Sequence, residues 1–218
     1  MSTAPTPNAG SSLIRIHKVI TRALLVSMQN SQGTGPEPEL RLGFQRFEQA
    51  LHSGLLAHHD GEDEISFPFF RTKLPDGPFE ALSEQHRLMI PLLNKINDWC
   101  NKGSAAWETA NLAELHSVVS GLNDLWHSHI PTEESHFSPL VCERLLTPEE
   151  NAWLEGQLAG HAAQHALPGE LVLPFVLYNL EGDDRTAMAQ SFPPVVSEQL
   201  VPFAWKSAWA PMQPFLLE

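Results

Sequence analysis

Cysteine is scarce in this chain. Cys100 and Cys142 are the two present, without C-x-x-C spacing, in 218 residues. That excludes a disulfide framework and a thiolate metal site. Basic residues are also few: 13 Lys and Arg stand against 26 Asp and Glu, a formal charge of -13. Nucleic acid and anionic membrane surfaces both call for clustered cations, so neither is an expected partner. No apolar run approaches the roughly 18–20 residues a membrane span needs. Met1–Ser12 is Ser/Thr/Pro/Gly-rich and lacks the apolar core of a secretory signal, so a reducing, cytoplasmic setting is expected. Strand-like alternation is missing as well.

Histidine is abundant, with eleven residues that cluster. Two segments are near-copies: His58-x-x-x-Glu62 and His129-x-x-x-Glu133. Each is followed by a second acid (Asp63, Glu134) and, ten residues after its histidine, by a proline (Pro68, Pro139). A lone histidine precedes each copy: His17 by 41 positions and His86 by 43. Residues four apart share a helix face. The apolar residues Leu51 and Leu55 lead in phase to His58 and Glu62, and Leu122, Leu125 and Trp126 lead to His129 and Glu133. Four imidazoles and two carboxylates can therefore converge inside a helical bundle. Unpaired carboxylates are costly in a dry core. Two divalent cations bridged by the acids would resolve that cost, and imidazole with carboxylate suits iron, manganese or zinc.

The periodicity predicts an all-α, up-down-up-down four-helix bundle with additional C-terminal helices. The first helix starts at Ser12. The second runs from about Glu39 toward Ser66 and ends at Pro68. The third spans about Phe79–Asn101 with Pro91 inside, and the fourth about Trp107–Val141 with Pro131 inside. Thr147-Pro148-Glu149-Glu150 opens a fifth helix by capping chemistry. The expected division is a disordered segment 1–11, a bundle 12–145 and a helical extension 146–218 packing on it. His52, His116 and His127 fall off the inward phase, and the pair His161/His165 reads as an exposed helix face. His136, seven residues after His129, is placed for an outer role beside the ligands. His59 lies about 100° round the helix from His58, which puts it off the inward face; a replacement ligand there is the alternative.

The strings around His58–Pro68, Ser83–Leu88 and His129–Glu134 resemble the hemerythrin, or HHE cation-binding, domain over about residues 12–145. The resemblance implies a non-heme di-iron centre and dioxygen or iron chemistry. Carried over residue by residue, the ligands would be His17, His58, Glu62, His86, His129 and Glu133, with both glutamates bridging two irons. Oxygen-carrying members have His-x-x-x-His on the third helix and His-x-x-x-x-Asp on the fourth. Here position 90 is Ile and the fourth helix carries His-x-x-x-Glu, as in iron- and oxygen-sensing hemerythrin-like domains. The implied partner is dioxygen. An oxygen-activating oxidase or oxygenase acting on a small molecule is the alternative, and Phe/Trp patches in the tail leave a homodimer open.

Overall fold

The computed structural model describes residues 8–217; of the segment 1–11 expected to be disordered, residues 1–7 lie outside them, and residues 9–11 are instead helical, because Asn8 supplies a cap. Helix α1 (Ala9–Asn30) starts three residues before the expected Ser12. Asn8 caps it, its side chain accepting from the Ser11 amide. A single 3-10 turn, Pro38–Leu40, leads into α2 (Arg41–Gly61).

Pro68 does not end this second helix. A π-helical turn, Glu62–Ser66, runs on into α3 (Phe67–Arg71), with Pro68 in its first turn. A proline in a continuous α-helix loses one backbone bond and its ring clashes with the carbonyl four residues back. The wider turn just before Pro68 absorbs that conflict, as π-bulges do, and it starts at Glu62.

Helix α4 (Phe79–Cys100) contains Pro91, and α5 (Thr109–His136) contains Pro131. The fourth helix stops five residues before the expected Val141. The chain breaks at Phe137–Ser138, and Pro139 opens a separate helix, α6 (Pro139–Leu145). Thr147 caps α7 (Pro148–His165) through a complete capping box with Glu150. Short helices α8 (Gly169–Tyr178), α9 (Gly182–Ser191) and α10 (Lys206–Trp209) follow, with a second π-helical segment, Val196–Ala204, before α10 and a 3-10 segment, Ala210–Phe215, after it. No strand occurs among the described residues, and none of their helices is long and apolar enough to cross a membrane.

The bundle is α1, α2, α4 and α5. α5 packs on α1 and α4, and α2 packs on α4 and α1. The C-terminal elements wrap α2: α7, α8 and the segment Ala210–Phe215 all lie against it. α2 is accordingly buried nearly all round, through Phe44, Phe47, Ala50, Leu51, Ser53, Leu55 and Ala57. This explains why its apolar residues exceed one stripe. Gly43 marks the seat of the C-terminal segment. A Cβ there would fall 1.8 Å from the Pro211 carbonyl oxygen, an atom of the backbone that cannot rotate away. Gly43→Ala should therefore cost about 2–3 kcal/mol in chemical denaturation by overpacking. An unchanged denaturation midpoint would show that the segment does not hold this position.

Candidate metal centre

The site lies between two apolar clusters. Below it, Trp126 closes the main core. Its ring centroid is 5.1 Å from that of His17 and 5.9 Å from that of His129, and its Nε1 donates to Thr21 Oγ1 at 2.8 Å. Above it stands a second cluster that includes Phe67, Phe70, Phe79, Leu82 and Phe137. Phe67 stacks on His86 at 5.5 Å. Between these dry layers sit His17, His58, Glu62, His86, His129 and Glu133, all buried except His58, which is half-buried.

Glu62 reaches both sides of the cluster. Its Oε1 is 3.3 Å from His58 Nε2 and its Oε2 is 3.6 Å from His86 Nε2. Glu133 does the same from α5: its Oε2 lies 3.2 Å from both His17 Nε2 and His129 Nε2. The structure thus brings together all six residues singled out in the sequence.

It adds a seventh. His59 is 1% exposed and stacks on His86 with centroids 4.0 Å apart. Setting it off the inward face was wrong. The two neighbouring side chains straddle the line from α2 to the bundle centre, so the 100° between them places one ring on each side. His58 goes to His17, at 5.4 Å, and His59 to His86 and His129. Two groups of potential ligands result: His59, Glu62, His86 and His129, and His17, His58, Glu62 and Glu133. In each group, ligand atoms lie within 4.8 Å of one another, and Glu62 belongs to both.

The acids that follow each motif orient the histidines of the opposite half. Asp63 Oδ2 accepts from His86 Nδ1 at 3.0 Å, and Glu134 Oε1 accepts from His17 Nδ1 at 2.8 Å. His129 Nδ1 meets Gln85 Oε1 at 3.0 Å. A proton held on each Nδ1 leaves the Nε2 lone pair facing the centre, as metal-ligating histidines require. The sequence repeat is thus also a crossed pairing in space: each motif's acids serve the lone histidine of the other half. His136 takes no part, its Nδ1 facing the Thr132 carbonyl at 2.7 Å. His127 is exposed and His52 and His116 half-buried, all outside the cluster. His161, expected on an exposed face, is buried at 8% exposure against α2, because Gly61 leaves room for its ring.

The electrostatics match a place for cations. Burial pushes the Glu62 carboxyl well above the usual carboxylate range, and nearby Glu133 adds to this. Burial would raise Glu133 too, but its His129 and His17 contacts outweigh that and hold it low. His58 and His59 are kept neutral, first by burial and then by neighbouring imidazoles. Twelve buried side-chain nitrogen and oxygen atoms among the described residues lack a hydrogen-bond partner, and seven of them are here: His17 Nε2, His58 Nε2, both nitrogens of His59, both oxygens of Glu62 and Glu133 Oε2. Buried polar atoms are rarely left so. Imidazole and carboxyl atoms gathered in a dry core without hydrogen-bond partners fit a metal cofactor.

The family model for the hemerythrin HHE cation binding domain matches residues 10–141. No curated protein and no solved structure matches the chain. The family match spans more than half of the sequence and encloses all seven residues of the cluster: this chain belongs to the hemerythrin HHE cation-binding family.

Proposed function

We propose that the protein holds two non-heme iron ions in this cluster and binds dioxygen there, as an oxygen-binding or iron-responsive hemerythrin-like protein of the cytoplasm. The observation that carries the reading is the set of seven unpartnered buried donor atoms in two groups that share Glu62. His59, His86 and His129 would hold one ion, and His17 and His58 the other, with Glu62 and Glu133 reaching both. His59 stands in for the imidazole that Ile90 does not provide on α4. Iron bound there would supply one-electron redox chemistry and an open coordination position for dioxygen. The protein's own part is to orient the imidazoles through Asp63, Glu134 and Gln85. Trp126 and Phe67 keep bulk water from the centre. Manganese and zinc suit the same donor set.

Burial of the cluster between the two apolar layers suits a diatomic gas better than an organic molecule. The small-molecule oxidase is the reading that remains if oxygen reacts irreversibly. The test is reconstitution with ferrous iron without oxygen, followed by exposure to air. About two irons per chain and a visible band that fades on deoxygenation are expected. Irreversible ferric oxidation would turn the assignment to an oxidase or iron sensor, and failure to take up iron would end it.

A further inference from the structure

The two ligand groups differ in what holds them. His59, Glu62, His86 and His129 are all buried, whereas the other group contains the half-buried His58. Three imidazoles serve the first group and two the second. The carboxylates favour neither side. Glu62 belongs to both groups, and Glu133 Oε2 stands 3.2 Å from His17 Nε2 and from His129 Nε2 alike.

The difference extends outward, to the residues that fix each ring. Asp63 and Glu134 are equally exposed, with side chains at 35% and 36%. Yet Asp63 is held at both carboxylate oxygens. Its Oδ2 accepts from His86 Nδ1 at 3.0 Å, while Oδ1 accepts from the Ser83 hydroxyl. Ser83 and His86 stand three apart on α4, so one acid of the π-helical turn spans two neighbouring side chains on a single helix face. His129 is fixed from α4 as well, by Gln85. In the other group, Glu134 bonds to His17 and to no other side chain among the described residues. No hydrogen bond among those residues fixes the His58 ring.

Metal release needs a ligand to swing away and water to take its place. An imidazole whose outer nitrogen is held cannot turn, and losing such an outer partner costs roughly 10–100-fold in metal affinity. We propose that Ser83, acting through Asp63, locks the ion held by His59, His86 and His129, and that the ion held by His17 and His58 is the exchangeable one. Ser83 is thus a positioning residue. The proposal rests on the two-ion reading above and adds an order to it. Water reaches the second ion from the half-buried His58 side, and Glu134 can yield together with His17. When iron is scarce the chain passes through a half-loaded form, which gives a graded response to supply.

The probe is cobalt(II) alone. The full chain loaded with two equivalents is mixed with excess chelator, and release is followed by the cobalt absorbance. One equivalent should leave fast and the other slowly. Ser83→Ala should speed the slow phase about tenfold and leave the fast one unchanged, and Ser83→Thr, which keeps the hydroxyl, should restore it. Glu134→Ala should speed the fast phase alone. Neither Ser83 nor Glu134 is buried, so the variants keep the fold, as circular dichroism would verify. Release of both equivalents in one phase overturns the order, as does a Ser83→Ala effect on the fast phase or a failure of threonine to restore the slow one. Uptake of fewer than two equivalents would overturn the two-ion reading and the order with it, so the two failures are told apart.

Discussion

Replacing Glu62 by alanine should cost the protein both ions together. Glu62 is the one residue in both ligand groups, with an oxygen toward His58 and another toward His86. Two divalent cations held in adjoining groups would repel each other strongly, four times as much as two unit charges at the same distance. Only carboxylates between them offset such a term, and the cluster has two. His17→Ala or His59→Ala, by contrast, removes a donor from one group alone and should weaken one ion before the other. The metal-free variant loses a buried, unpartnered carboxyl but gains a cavity of four heavy atoms, two effects of opposite sign, so it should stay folded with a stability near that of the metal-free parent. What disappears is stabilisation by metal: each ion at a hundred times its dissociation constant adds about 2.7 kcal/mol to the native state. Elemental analysis and thermal melts with and without metal check both halves of the expectation. Two ions retained in Glu62→Ala would refute bridging by this residue. A variant unfolded without metal would show that Glu62 is structural.

Much of this centre was legible because helical phase and ligand spacing coincide. His58 with Glu62 and His129 with Glu133 carry on the apolar stripes of their helices, and capping chemistry at Thr147 set the start of α7. Other features were hidden for physical reasons. Pro68 reads as a terminator unless a π-helical turn is allowed before it, and no residue preference announces such a turn. His59 was misplaced because phase was judged against a single inward direction, whereas a two-sided centre accepts residues 100° apart. The burial of His161 depends on Gly61 across a contact a hundred residues away in the chain, which local pattern cannot show. The same holds for the wrapping of α2 by the C-terminal segment. Gly43 and a nearly unbroken run of small and apolar residues along α2 were the available signals.

Glu48 is a residue the sequence reading passed over, although it stands in phase with Leu51, Leu55 and Glu62. It is fully buried in α2, and neither carboxyl oxygen has a hydrogen-bond partner. Burial pushes its pKa up to about 8 from an ordinary 4.5; the Ser27 hydroxyl nearby offsets only part of this without forming a well-made hydrogen bond. The Cys100 thiol is raised as well, by burial and then by Glu48, so no cation balances the acid from that side. The sign of the pH effect follows. Below about pH 4.5 the carboxyl is neutral in both states and costs nothing. Between 4.5 and 8 the unfolded chain ionises while the folded one does not, and stability falls by about 1.4 kcal/mol per pH unit. Above 8 the full penalty, on the order of 5 kcal/mol, is present. Glu48→Gln keeps the shape and cannot ionise, so its advantage over the wild type should grow by several kcal/mol between pH 5 and pH 8. Denaturant unfolding of both proteins in the same metal state isolates this residue, because the pH dependence of the ligand cluster cancels in the difference. Parallel stability curves across that range would mean that Glu48 is ionised and compensated in the folded protein.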